Sequence, residues 1–244
     1  APAKINLFLE VNGRRDDGYH YLESLVVLTA FGDLLHMQPA TGLSLERRGP
    51  FAMQLPTAPD DDLCLRAARA LSAALGRDPH VTLTLEKNIP VAAGIGGGSS
   101  DAAAVLRALC GVWQVDAGDP QVLDIAGRLG ADVPVCLAGT TAEMRGIGDM
   151  IVPRCEDPEL HLLLVNPNRP LSTASVFGAL QESDMAPKSQ AHPEYVGDPE
   201  SYLDILSGRR NDLTRPACDL CPEIGDILAA LLDLNDCRLA RMSG

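Results

Sequence analysis

From Ala3 to Val11 the chain alternates, with Ile5, Leu7, Leu9 and Val11 on one face and Lys4, Asn6, Phe8 and Glu10 on the other. A period of two predicts a strand and puts Lys4 and Asn6 on one side of it, roughly 7 Å apart. A polar turn, Asn12 to Gly18, follows and leads into Tyr19-His20-Tyr21. Residues 23–37 read as one or two strands broken at Gly32-Asp33, and Leu43–Arg47 as another. Asp60–Leu75 has helical spacing with acids at its start and Gly76 after its end, a start-and-stop pair of signals. Val81–Glu86 alternates again.

Beyond residue 110 the pattern predicts a helix over Pro120–Leu129 stopped by Gly130, then strands over Thr141–Arg145 and Ile147–Val152 around Gly146. Composition shifts at Pro153–Pro158, which marks a domain boundary, and His161–Val165 reads as a buried-type strand. Ser172-Thr173 cap a helix over 174–181 that carries Phe177. Residues 182–200 are polar and proline-bearing, hence a loop. Helices are expected over Tyr202–Leu206 and Pro222–Leu234, the second with proline in its first turn.

The stretch Ile89–Leu109 breaks every period around it. Gly94, Gly96, Gly97 and Gly98 fall within five positions, followed by Ser99, Ser100, Asp101 and an alanine-rich helical run. Glycine lets the backbone approach a ligand with no Cβ in the way, and Ser99, Ser100 and Asp101 suit the cap or first turn of the helix. A tight strand-to-helix turn needs one or two glycines; four plus two hydroxyls point to a phosphate held at a helix N-terminus. No lysine follows the glycines, as a Walker A loop requires, and neither glycine register fits the dinucleotide pattern Gly-x-Gly-x-x-Gly.

Composition narrows the classes. The 244 residues allow one large domain or two modest ones, and a net charge of −13 opposes a nucleic-acid scaffold. No apolar run approaches a membrane helix, no signal peptide opens the chain, and a few residues are expected ahead of Ala1. Seven scattered cysteines suit free thiols in a reducing cytoplasm, and the lone Cys218-x-x-Cys221 lacks a partner pair for a metal. Asp132, just past the Gly130 stop and before Val133-Pro134-Val135, reads equally as a cap or as a rigidly held catalytic carboxylate. Tyr19 and Tyr21 around His20 read equally as a strand-edge pair or as a surface for a flat ring.

Taken together, Pro2-Ala3-Lys4-Ile5-Asn6-Leu7, Gly13-Arg14-Arg15 with Gly18-Tyr19-His20, Pro90 through Ala102, Gly130-Ala131-Asp132-Val133-Pro134, Ser172-Thr173-Ala174 and Asn211-Asp212-Leu213 resemble the GHMP family of small-molecule kinases over nearly the whole chain. The resemblance implies an α+β fold of two domains. Residues 1–153 would form an ATP-binding domain similar to the second domain of ribosomal protein S5, and 154–244 a ferredoxin-like C-terminal domain. It implies ATP and Mg²⁺ as cofactors and Asp132 as catalytic base with Lys4 as its partner. The ATP loop would run Pro90, Val91, Ala92, Ala93, Gly94, Ile95, Gly96, Gly97, Gly98, Ser99, Ser100, with Lys87 near the adenine or ribose. The combination of Pro-Ala-Lys-x-Asn with Gly-Tyr-His further implies a cytidine diphosphate-linked methylerythritol as substrate, in isoprenoid precursor biosynthesis. Asn6 would help hold it, Tyr19 and Phe177 would sandwich its cytosine, and His20 would read the ring edge. A cytoplasmic monomer or weak homodimer, without nucleic-acid or membrane partners, is the expected form. The family's third glycine motif, Gly-Ser-Gly-x-Thr, would begin where the chain reaches Met242-Ser243-Gly244, so the last strand of the second domain is expected to be missing.

Overall fold

The computed structural model describes residues 1–154, 158–185 and 198–243. The chain divides into two compact units, Ala1–Lys4 with Leu28–Thr140, and Ile5–Val27 with Thr141–Gly244. Strands β1 (Pro2–Arg14) and β2 (His20–Gly32) each contribute residues to both.

In the first unit β3 (Leu34–Pro39), β4 (Ser44–Arg48) and β5 (Val81–Glu86) form a three-stranded sheet in the order β3-β5-β4. β3 runs antiparallel to β5 and β4 parallel to it. A parallel pair needs a crossover, supplied by α1 (Leu63–Leu75). Asp62 caps α1 by accepting from the amides of Cys64 and Leu65, and Gly76 closes it in the left-handed conformation. Helices α2 (Gly97–Trp113), α3 (Pro120–Leu129) and α4 (Val133–Ala138) complete the unit. Leu71, Leu83, Leu85, Ile89, Leu106, Leu109 and Ile125 are fully buried in it.

In the second unit β1, β2, β6 (Ala142–Arg145) and β7 (Met150–Pro153) form a sheet in that order, with β2–β6 and β6–β7 antiparallel. β7 starts at Met150, later than the expected Ile147, because Gly146 and Gly148 take positive φ and make the intervening turn. Leu9 and Val11 pack with Val176, Leu213 and Ala217, from α5 (Thr173–Gly178) and the region of α7 (Thr214–Leu220). Helices α6 (Pro199–Ser207) and α8 (Glu223–Leu232) follow the expected pattern.

One expectation is corrected. His161–Val165 is not a strand, and Leu162, Leu163, Leu164 and Val165 are exposed; an apolar run becomes a strand only where another strand satisfies its amides, and none of the described strands pairs with it. Ser99 and Ser100 fall in the first turn of α2, which starts at Gly97 with Gly96 as its cap residue, and Asp101 opens the second turn. The strand β1 is buried on both faces, Lys4, Asn6 and Glu10 included. In the second unit this follows from Arg209, which lies 4.0 Å over the Phe8 ring and pairs with Glu10 at 2.9 Å. The loop expected over 182–200 falls mostly on residues 186–197, outside the described residues. No described helix is long and apolar enough to cross a membrane.

Candidate active site

In the first unit a cleft of about 340 Å³ is bounded by Leu55, Pro56, Asp61, Asp62, Leu63, Cys64, Leu85, Lys87, residues 90–94, residues 96–99 and Asp101. The glycine loop forms one wall. Ala92, Gly94 and Gly96 all take positive φ, and Gln54 accepts from the amide of Val91 at 3.3 Å. No side chain caps α2. An uncapped N-terminus carries partial positive charge. A phosphate chain suits it.

The glycines have a second purpose, toward the protein. A Cβ on Gly96 would lie 3.0 Å from Cβ of Lys4, and one on Gly97 would lie 3.0 Å from both Ile89 Cγ2 and Lys87 Nζ. The Lys4 amide also donates to Ile95 O at 2.9 Å. The missing side chains thus let β1 cross the loop closely and deliver Lys4.

Lys4 Nζ donates to Asp132 Oδ1 at 2.9 Å. Lys4 is buried, whereas the Asp132 side chain is 36 % exposed. Asp132 occupies the cap position of α4, yet its carboxylate makes no capping hydrogen bond. The carboxylate is turned to Lys4 and not to the amides of α4. Cys136, one turn on, is no nucleophile: burial, with help from Asp132, pushes its thiol up to about 12.

Lys87 is almost wholly buried and donates to Asp33 Oδ2 at 2.5 Å and Asp101 Oδ2 at 2.7 Å. It lines the cleft, but its charge is spent on two carboxylates. Ser100 is fully buried with Oγ lacking a partner. Asp33 was not legible as a site residue, because an acid after Gly32 between two apolar runs reads as an ordinary turn.

In the second unit His20 stacks on Phe177 with centroids 5.3 Å apart and planes at 28°. Ser172 caps α5 by accepting from Ser175 N, which fixes the short helix that carries Phe177. Burial, then Arg14, lowers the His20 pKa from 6.5, so the ring is neutral at physiological pH. Tyr19 is 62 % exposed. Asn6 is buried with Oδ1 unpartnered among the described residues, an acceptor of the kind a ligand donor would satisfy. Asn211-Asp212-Leu213 is structural: Asp212 N donates to Leu9 O at 2.8 Å, Val11 N donates to Asp212 Oδ2 at 2.8 Å and Asn211 Nδ2 donates to Met242 O at 2.7 Å.

Residues 62–140, which carry the glycine loop and Asp132, match the GHMP kinase N-terminal domain model. The 4-diphosphocytidyl-2-C-methyl-D-erythritol kinase of Paracoccus denitrificans is 50% identical over 244 residues, 100% of this chain and 82% of that protein. The protein of the same name from Paramagnetospirillum magneticum is 47% identical, over 100% of this chain and 84% of its own length. A crystal structure of 4-(cytidine 5'-diphospho)-2C-methyl-D-erythritol kinase superposes with a TM-score of 0.71 at 33% identity, covering 95% of this chain and 81% of that one. The chain belongs to the 4-diphosphocytidyl-2-C-methyl-D-erythritol kinases, a branch of the GHMP kinases. It is accordingly a kinase, and its family uses ATP.

Proposed function

We propose that this chain transfers the γ-phosphoryl group of ATP to the 2-hydroxyl of 4-diphosphocytidyl-2-C-methyl-D-erythritol, in the cytoplasm, with Lys4 and Asp132 as the reacting pair. The observation that carries this reading is the 2.9 Å contact between them in the same unit as the glycine-walled cleft. Phosphoryl transfer asks mainly for positioning and for charge to be neutralised. Loop residues 90–100 and the N-terminus of α2 hold the phosphates. Asp132 accepts the proton of the substrate hydroxyl as its oxygen bonds to phosphorus and the bond to ADP breaks. Lys4 orients Asp132 and offers a positive charge to the same hydroxyl.

Asn6, Tyr19, His20 and Phe177 are assigned to the substrate. The His20–Phe177 pair offers a cytosine a flat surface and a neutral imidazole that both donates and accepts. In sequence, residues 1–153 are read as the ATP-binding domain and 154–244 as the C-terminal domain.

Mg²⁺ fits the donor set. It retains water and phosphate ligands and asks for only one or two protein carboxylates, so the absence of any three-residue metal cluster among the described residues does not oppose it. Held chiefly by the phosphates themselves, the ion would offset their charge. The reading is tested by following ADP release with the diphosphocytidyl alcohol beside homoserine, mevalonate and galactose. Turnover with the first alone supports it; turnover with another alcohol in its place overturns it.

A further inference from the structure

Beneath the glycine loop lies a group that the proposed chemistry does not use. We infer that Asp33, Lys87 and Asp101 are positioning residues: a buried ion triad that pins the entry of the phosphate loop to its exit and sets the charge under the bound phosphates. The inference rests on reading the cleft as the nucleotide site.

The geometry ties the two ends of the loop through one ammonium. On the entry side Asp33 Oδ1 accepts from the amides of Asn88 at 2.5 Å and Ile89 at 2.8 Å, the two residues before Pro90. On the exit side Asp101 belongs to the second turn of α2. Lys87 Nζ bridges both carboxylates and lies 3.0 Å from where a Gly97 Cβ would be, directly under the first turn of α2. All three side chains are buried. A long cationic chain sealed from water is strongly unfavourable unless its partners are well placed; here both partners hold the backbone that leads into or out of the loop.

The charge count is uneven. Two carboxylates face one ammonium, so the triad carries −1 when all are ionised and 0 when Asp101 holds a proton. Asp101 lines the cleft and its Oδ1 finds no hydrogen-bond partner among the described residues, which marks it as the member able to carry that proton. Around it stand Lys87 and Asp33, Asp62 and Cys64 at the start of α1, Cys136 of α4 and the α-amino group of Ala1. Burial pushes Asp101 up to about 7, with Asp33 adding to the shift and Lys87 opposing it. Ionisation of Asp101 therefore places a negative charge under a polyanion as pH rises through that value, and nucleotide affinity falls.

The test is ATP binding by calorimetry to the full chain, at about pH 6 and about pH 8. Asp101→Asn keeps the shape and removes the ionisation. It should bind ATP on the order of tenfold tighter than wild type at the higher pH, with the two proteins converging at the lower. ATP's own terminal phosphate titrates in this range, so the difference between the two proteins is the readout. Asp33→Asn, which weakens the clamp on residues 88 and 89, should bind on the order of tenfold more weakly at both pH values, and thermal melts show whether it is folded. If Asp101→Asn follows the wild-type pH profile, or a folded Asp33→Asn binds as wild type does, the triad has no positioning role. If wild type itself fails to bind ATP, the nucleotide reading falls and takes this inference with it.

Discussion

The Lys4 ammonium meets the Asp132 carboxylate at 2.9 Å although 128 residues separate them in the chain. Two structural choices make the meeting possible. Gly96 lacks the Cβ that would collide with Lys4, and Asp132 leaves the amides of α4 uncapped to face Lys4 instead. A capping aspartate is worth about 1 kcal/mol to a helix, so the contact is made at the expense of a local gain.

Asp132→Asn keeps the shape and removes the proton acceptor. Turnover should fall by about 10²–10⁴-fold while ATP and substrate still bind, as single-turnover rates beside calorimetric titrations would record. Near-normal turnover would remove Asp132 from the role of base.

Gly96→Ala meets two obstacles at once. Its φ of +67° costs a residue with a Cβ roughly 1–2 kcal/mol, and the new methyl would press on Lys4. A lower melting temperature should accompany a loss of turnover larger than that of Gly111→Ala, a helical glycine with open space at its Cβ. Equal behaviour of the two variants would show that the close approach of β1 does not matter.

Phe177→Ala removes the ring on which His20 stacks. Such pairs are worth about 0.5–1.5 kcal/mol beyond burial, so the KM for the cytidine-bearing substrate should rise by about tenfold with the KM for ATP unchanged. An equal rise in both KM values would argue for general unfolding of the site.

The same pair predicts a pH dependence. With its pKa lowered from 6.5, His20 is neutral throughout the physiological range and becomes cationic only in more acid solution. The KM for the cytidine substrate should therefore stay level above that ordinary value and climb as pH drops through the lowered one. Arg14→Ala should move the onset of the climb to higher pH, since Arg14 is one of the groups holding the pKa down.

Asp212→Ala should act on stability alone. It strips the acceptor from the Val11 amide in the buried seam with Leu213 and Ala217, and an orphaned buried amide costs about 1–3 kcal/mol. Denaturant melts should show the loss while the KM for ATP stays put.

Local patterns carried much of this protein. Val81–Glu86 and Pro120–Leu129 could be read to the residue because period-two alternation, an Asp-Pro start and a glycine stop are local signals that owe nothing to distant partners. The four glycines set residues 94–98 apart through composition alone, and the chain turns there with Gly94 and Gly96 at positive φ. Short elements were less legible: α4 and α7 are six and seven residues long, too brief for a 3.6-residue period to stand out. His161–Val165 carried the hydrophobicity of a strand, but strand formation depends on a neighbour that no local window contains.

Tertiary structure decided the rest. Folding decided the partner of Asp132, bringing the Lys4 ammonium to its carboxylate in place of the α4 amides. Lys87 sits beside the loop in sequence and looked available to a nucleotide; the fold spends its charge on Asp33, 54 residues before it, and Asp101, 14 after it. The chain's order of residues determined where it turns, where it extends and which groups it carries. Which charges face one another depended on long-range packing, because a Coulomb interaction grows strong only at a few ångströms and out of water, and only the folded chain supplies both.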